Sequence, residues 1–372
     1  MTTPAPLACD VLVVGLGPAG ASAARAAAAA GLRVVAVDRR AVAGLPVQCA
    51  EFVPLSLGSE VDDLAASVVQ PIEAMDTYLE DAAARRDALP GWIIDRARFD
   101  ARLAEAAARA GADCRFATAL TALAADGTAT LADGTWLAPK AIVGADGPRS
   151  LVGRTVGREN TVFAHTRQVT VPLLVPHRAT DIWLSAGMPG GYAWLFPKGD
   201  VANVGLGVAA DHRRHLPALL DGLLAMLARE GRIAWDVQAT TGGLIPSGGP
   251  LAPHARLGAV DVLLAGDACG LTNPVTGAGI ASAVVSGRMA GEAVAARLAG
   301  DADACADWVD EVEALFARAL ARATRRRADL MATFATRRPD PDDLARAWIA
   351  YDAYWRDDTP SASPDRPQGV AA

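Results

Sequence analysis

The stretch Gly15-Leu-Gly17-Pro-Ala-Gly20 constrains this chain more than any other. A short apolar run, Asp10 to Val14, leads into it. An Ala-rich helical stretch up to Ala30 follows, and a second apolar run, Leu32 to Asp38, closes the unit. This is the order strand, glycine turn, helix, strand. The glycines permit a tight turn and let a pyrophosphate approach the N-terminus of the helix. An acid about 20 residues on, here Asp38, accepts hydrogen bonds from an adenosine ribose. The expectation is an α/β chain that binds a dinucleotide, with Gly15, Gly17, Pro18, Ala19, Gly20, Asp38 and Arg39 at the cofactor. The motif alone does not separate NAD from FAD.

Composition narrows the rest. With 372 residues, 52% hydrophobic and 21% charged, the chain has room for two or three structural units around a large core. A net charge of −7 argues against a nucleic-acid binder, which needs a basic face. Cys9, Cys49, Cys114, Cys269 and Cys305 are scattered, without metal spacing or an even count. They fit neither a disulfide framework nor a zinc site, and they suit a reducing cytoplasm. His165, His177, His212, His215 and His254 show no metal spacing either. No basic region precedes an apolar core at the N-terminus, so no signal peptide is expected. The Ala-rich run carries Arg25 and is too short to span a bilayer.

Further along, Ile72 to Ile94 reads as short alternating strands and Arg98 to Ala110 as a helix closed by Gly111. Residues 116–140 read as a small β-meander with turns at Asp126-Gly127 and Asp133-Gly134, and Ala141 to Gly144 as another buried strand. Residues 161–210 are β-rich and residues 211–231 helical. Val260 to Ala265 is a strand and Gly279 to Leu298 a helix. Residues 304–356 are helical with a break near Pro339 and Pro341. The tail from Asp357, rich in Pro, Ser and Asp, is expected to be disordered.

Two later segments choose the cofactor. Val143-Gly144-Ala145-Asp146-Gly147-Pro148 follows a strand. Leu264-Ala265-Gly266-Asp267-Ala268-Cys269-Gly270 follows another and runs through Asn273-Pro274 and Gly277-Ala278-Gly279 into a helix. These resemble the second and third fingerprints of flavoprotein hydroxylase-type FAD enzymes. The resemblance implies that Asp267 holds the ribityl chain and that the helix after Gly279 points its positive end at the flavin pyrimidine edge. There it would stabilise the negative charge of reduced flavin. Arg96, in Ile94-Asp95-Arg96, matches that family's arginine near the flavin and pyrophosphate. The implied cofactor set adds Cys49, Arg96, Asp146, Gly147, Gly266, Asp267, Pro274, Gly277, Ala278 and Gly279.

Gly44-Leu-Pro46-Val47-Gln48-Cys49-Ala50-Glu51 narrows the resemblance further. So does Gly190-Gly191-Tyr192-Ala193-Trp194-Leu195-Phe196-Pro197-Lys198, followed by Ala202-Asn203-Val204-Gly205. Both resemble motifs of the geranylgeranyl reductase family, and the similarity spans residues 10–295. It implies a GR2-type FAD domain, an antiparallel substrate sheet and a helical C-terminal region. The expected division is an FAD domain from 1–72, 95–160 and 242–295, a substrate domain from 73–94 and 161–241, and helices over 296–356.

Tyr192, Trp194 and Phe196 alternate and share one face of a strand. With Lys198 they form the candidate substrate site, although strand aromatics are commonly core. Lys198 is a candidate anchor for an anionic group. Cys49 and Glu51 are the candidate catalytic residues, Glu51 as proton donor if burial raises its pKa. Cys269 reads as packing, and the basic run Arg322 to Arg327 as a solvated helix face. The implied reaction is reduction of isoprenoid C=C bonds by reduced FAD. A flavin monooxygenase acting on an aromatic substrate and a flavin electron carrier share the same fingerprints and stay open. No lysine precedes Lys140, which argues against a halogenase, and only Cys305 follows Cys269, too few thiolates for an iron–sulfur cluster. No second GxGxxG exists, so NAD(P)H would dock transiently or another electron donor, such as a protein, would reduce the flavin. The expected partner is a hydrophobic or aromatic substrate, and the expected place is the cytoplasm, with peripheral membrane contact open.

Overall fold

The computed structural model describes residues 7–80 and 82–356. The expected disordered tail lies outside the described residues.

The first sheet is built on strands with continuous apolar runs. The last six residues of Leu7–Val14 are buried, as is all of Val34–Val37. Burial of successive residues means both faces are covered, which is the condition of a parallel sheet. Val34–Val37, Leu7–Val14, Trp136–Gly144 and Val260–Leu264 lie side by side in parallel. Asp113–Arg115 extends one edge and His254–Leu257 the other. The end of the expected meander and the strand after it are one element, Trp136–Gly144, in which Pro139 is accommodated in register opposite Cys9.

Among the described residues the α-helices, in chain order, are α1 (Pro18–Ala29), α2 (Arg96–Arg109), α3 (Leu151–Thr155), α4 (Leu216–Arg229), α5 (Ile280–Ala299), α6 (Ala304–Thr336), α7 (Pro341–Arg346) and α8 (Asp352–Trp355). Helices α1 and α5 pack backbone to backbone. A Cβ on Gly287 would lie 2.1 Å from the Ala19 carbonyl oxygen, and one on Gly291 would lie 2.3 Å from that of Ala23. Only glycine against alanine permits this approach. It brings the starts of both helices to the carboxyl ends of Leu7–Val14 and Val260–Leu264, the parallel strands on either side of Trp136–Gly144, where doubly wound folds bind ligands.

The second sheet has nine strands. Along its path lie Ala239–Thr241, Phe163–Pro172, Val201–Ala209, Ala193–Lys198, Ala179–Leu184, Val68–Leu79, Arg85–Ile94 and Phe52–Pro54. Its pairings are antiparallel except between Val68–Leu79 and Ala179–Leu184. It begins earlier than residue 73: Phe52–Pro54 and the start of Val68–Leu79 already belong to it, and so does Leu244–Pro246. One face, with Leu195, Val204 and Leu206, packs on α4. The opposite face, with Met75, Ile182, Leu184 and Trp194, packs on Trp348 of the C-terminal region.

The basic run on α6 is not a solvated face throughout. Arg326 and Arg327 are buried. Arg326 donates to the carbonyls of Ala353, Tyr354 and Arg356, and so ties α8 to α6. Arg327 donates to the carbonyls of Gly190 and Pro274. Burial lowers its pKa to about 10, which leaves it charged at neutral pH. Helical periodicity turns these positions inward, and charge alone does not reveal that.

Candidate active site

The glycine turn separates two jobs. Gly15 and Gly20 are structural: an added Cβ would lie 2.2 Å from the Ala145 carbonyl oxygen in the first case and 1.7 Å from that of Gly15 in the second. Around Gly17 no atom lies within 4 Å of such a Cβ. Gly17 is also the N-cap of α1 and no side chain caps that helix. The first amides of a helix lack internal partners, so this open, uncapped end suits an anion such as a pyrophosphate. Asp38 accepts from the amides of Leu16 and Arg40 at 2.8 Å each, which sets its carboxylate beside the turn. Arg39 is exposed.

The two later fingerprints diverge. Asp146 is turned back on its own chain, accepting from the Ser150 hydroxyl at 2.5 Å and the amides of Leu151 and Val152 at 2.6 and 3.2 Å. It organises the start of α3, while Gly147, at φ +81°, has open space beside it. Asp267 accepts from the Thr272 hydroxyl at 2.5 Å. Burial pushes its carboxyl above the ordinary value, against the bond from Thr272 and the nearby charge of Arg96. Gly266 packs among Ala19 and Ala283, joining this turn to α1 and α5. Asn273 organises the next loop by accepting from the amides of Val275 and Thr276. Through Pro274, Gly277 and Ala278 the loop reaches Gly279, the N-cap of α5, which again has no side-chain cap. Two uncapped helix ends, an open Gly17 and a half-buried Asp267 fit FAD.

Arg96 opens α2 at the centre of the site. Its guanidinium donates to both oxygens of Asp100, at 3.0 and 2.9 Å, and also meets the Cys49 thiol. Burial works against its charge, but Asp100 and Cys49 outweigh it and hold the guanidinium protonated. Cys49 sits on a loop pinned by Gln48 to the Gly242 carbonyl, by Thr241 to the Val47 carbonyl and by Gln168 to its own carbonyl.

Glu51 does not occupy a proton donor's environment. It is 2% exposed, and its carboxylate accepts from the Arg96 amide at 2.9 Å, the Asn203 amide at 2.8 Å and both ways from Lys198 at 2.8 and 2.7 Å. Four donated hydrogen bonds, one pair from an ammonium, already occupy both of its oxygens. Lys198 is correspondingly engaged: its ammonium closes this buried pair rather than waiting for an anionic substrate group. The expected donor and the expected anchor satisfy one another.

The aromatic alternation is realised as an apolar wall. Trp194 is buried, and Tyr192 and Phe196 join the same cluster on one face, while Ala193 and Leu195 face α4. Tyr192 and Trp194 meet edge-on at 5.7 Å, and Phe196 meets Phe52 at 6.2 Å. The Tyr192 hydroxyl donates to the Thr276 carbonyl at 2.5 Å, and burial raises its pKa, with Cys49 adding to the rise. Ala50 and Val275 extend the cluster to the cofactor side. The wall therefore abuts both the Cys49 loop and the loop before α5.

Sequence reasoning missed Gln168 and Trp348. Gln168 accepts from the Trp194 indole and donates to the Cys49 carbonyl, each at 3.0 Å, and so couples the wall to the Cys49 loop. The only available signal was a polar residue in an apolar strand. Trp348 carried none. Cys269 is core, as expected: its thiol donates to the Leu251 carbonyl and burial pushes it up to about 12. Among the described residues, His177 lies beside Asp181 and Asp76, and His254 beside Asp261 and Cys305. In both groups arginines already neutralise the acids.

The comparisons agree with this geometry. Residues 165–243 match the model of the geranylgeranyl reductase catalytic domain. The chain is 34% identical to the digeranylgeranylglycerophospholipid reductase of Methanocella arvoryzae over 297 residues, covering 73% of each chain. It is 35% identical to that of Methanothrix thermoacetophila over 293 residues, covering 73% of this chain and 74% of the relative. Among solved structures, a geranylgeranyl bacteriochlorophyll reductase-like protein of Thermoplasma acidophilum superposes with TM-score 0.81 at 25% identity, over 91% of this chain and 90% of that one. A probable FAD-dependent monooxygenase of Pseudomonas aeruginosa shares the fold, with TM-score 0.70 at 19% identity over 92% and 99%. The chain belongs to the geranylgeranyl reductase family of FAD-dependent oxidoreductases.

Proposed function

We propose that the protein reduces carbon–carbon double bonds of an isoprenoid substrate. The observation that carries this reading is the apolar aromatic wall of Tyr192, Trp194 and Phe196, which meets the cofactor side at Ala50 and Val275. The relatives named above act on geranylgeranyl lipids by name, which supports it.

Reduced FAD, when bound, supplies the hydride. Gly17 and the uncapped starts of α1 and α5 hold its phosphates and pyrimidine edge, Asp38 its ribose and Asp267 its ribityl hydroxyls. An isolated alkene accepts hydride poorly, so proton delivery to one alkene carbon matters as much. Glu51 is committed to Lys198 and Asn203, and Tyr192 holds its proton too tightly. Cys49, placed by Gln168 and bordering Tyr192, is the group left to supply the proton at its Sγ. Positive charge developing on the other alkene carbon faces the π-systems of the wall, which stabilise it. The wall also excludes water, which would compete for that charge.

The electron donor in this reading is NAD(P)H docking transiently at the flavin. No helix among the described residues is long and apolar enough to cross a membrane, and in this reading the lipid is met at a membrane surface. The test is anaerobic. Holoenzyme reduced photochemically is mixed with an isoprenoid panel of geranylgeranyl diphosphate, a menaquinone and a prenylated lipid. Flavin reoxidation with a gain of two hydrogens in the lipid is expected. Reaction only after oxygen is admitted, with a hydroxylated aromatic product, would replace this reading by a monooxygenase. Reduction of the flavin by NAD(P)H in a separate stopped-flow arm tests the donor.

A further inference from the structure

Arg327 is a buried cation with no anion beside it. It projects from α6, is 9% exposed, and pairs with no carboxylate among the described residues. Its guanidinium instead donates from one nitrogen to two carbonyls, those of Gly190 and Pro274. The seat is tight. A Cβ on Gly190, which has φ +69°, would lie 2.7 Å from the Met331 sulfur and 3.2 Å from Nη2 of Arg327. Glycine there lets the guanidinium rest against the backbone. Carbonyl dipoles satisfy its N–H groups but do not cancel its charge, and a buried charge is costly unless an anion compensates it.

The place of the charge gives it a use. Pro274 belongs to the loop from Asn273 to Gly279, which ends at the uncapped start of α5. Arg327 covers the Pro274 carbonyl, at 3.4 Å, and the Tyr192 hydroxyl covers that of Thr276. Two carbonyls of the loop are thus committed to protein donors, while the first amides of α5 keep no side-chain partner. The guanidinium backs this loop and is shielded from solvent. A charge so shielded is screened little and acts beyond its own contacts. The flavin ring system is neutral when oxidised. Two electrons and one proton leave it with one negative charge at neutral pH, so a fixed positive charge favours the reduced form.

We propose that Arg327 tunes the flavin electrostatically: its unneutralised charge behind the Pro274 loop raises the reduction potential of bound FAD. The inference rests on the FAD reading of the site and is independent of the substrate. Its consequence is a flavin that a nicotinamide reduces more readily and that gives up hydride with less driving force. It also gives α6, which carries no cofactor fingerprint, a part in the redox chemistry.

The experiment compares wild type, Arg327→Lys and Arg327→Met as FAD-loaded full chains, without substrate. Anaerobic titration against a reference dye gives the midpoint potential, and fluorescence titration of the apoprotein gives Kd for oxidised FAD. Arg327→Met is expected to weaken binding of reduced relative to oxidised FAD by about tenfold, which for a two-electron couple lowers the potential by about 30 mV. Arg327→Lys keeps the charge and is expected to stay near the wild-type potential. Arg327→Gln takes the place of the methionine variant if that one does not fold. Equal potentials in wild type and the neutral variant overturn the inference even where turnover falls, since a purely structural anchor changes the affinity for both redox states together. An equal fall in the lysine and neutral variants overturns it too, because the shape of the loop and not the charge is then responsible. Failure of wild type to bind FAD removes the inference together with the reading beneath it. The expected shift in a protein that reduces no isoprenoid keeps the inference and removes the substrate reading alone.

Discussion

Glu51 and Lys198 lie 147 positions apart and meet as a buried ion pair, with both carboxylate oxygens within 2.8 Å of the ammonium. Lys198 is one of two lysines in the chain, and it ends the aromatic strand. Glu51 adopts φ +73°, a conformation unfavourable for a side-chain-bearing residue. Three groups hold it there: Lys198, Asn203 and the Arg96 amide. The pair fastens the Cys49 loop to the second sheet and to the start of α2.

Glu51→Gln is therefore expected to act through stability. It leaves the Lys198 ammonium without its counter-charge, at a cost of about 3 kcal/mol. Denaturant melts should show that loss, and Glu51→Gln combined with Lys198→Met should recover part of it. A Glu51→Gln protein with an unchanged melting transition and activity lowered by orders of magnitude would instead make Glu51 the acid.

Cys49→Ala is expected to leave FAD content and melting temperature near wild type, because the loop is pinned by the Cys49 carbonyl and by its neighbours. Loss of the proton source should lower kcat on an isoprenoid by about 100-fold. Unchanged kcat would exclude the thiol from proton transfer.

Two of the turn glycines should separate by phenotype. Gly17→Ala meets open space in the protein, so it should fold normally yet weaken FAD binding by about 1–3 kcal/mol, because its methyl projects where the pyrophosphate approaches. Gly20→Ala has a backbone oxygen 1.7 Å from its methyl and should not fold. Equilibrium FAD titration and circular dichroism read the two effects separately.

Asp267 links FAD binding to pH. Burial raises its pKa in the free protein. The folded apoprotein thus binds this proton more tightly than the unfolded chain. That contribution is fully present below the ordinary carboxylate value and is lost as pH rises through the raised one. Hydroxyls of FAD donating to the carboxylate favour its charged form and lower the pKa on binding. Between the two values the complex holds fewer protons than the free protein, so FAD affinity should rise with pH and level off above. Asp267→Asn should show weaker binding and no such slope. A slope identical in both proteins would place the titrating group elsewhere.

The geometry of the glycine turns was legible in the sequence because it is local. Gly15, Gly17, Gly20 and Asp38 are set by one strand–turn–helix–strand unit, and Asp267 and Gly279 by another short turn. Alternation likewise placed Tyr192, Trp194 and Phe196 on one face, since side-chain direction in a strand depends only on parity. Asp146 was legible as a fingerprint, but its carboxylate serves α3.

What the sequence by itself determined, then, is the family, the FAD turns and the facing of the aromatic strand. Each depends on residues a few positions apart whose backbone geometry is dictated by glycine, proline and apolar period. Tertiary structure alone decided that Glu51 and Lys198 neutralise one another and that Gln168 joins Trp194 to Cys49. It also decided that Arg327 is buried under Gly190 and Pro274, and that Trp348 packs against Tyr192. These are contacts between segments tens to more than a hundred residues apart. A buried charge or indole takes its role from the partner packing brings to it, and that partner leaves no mark in the local pattern.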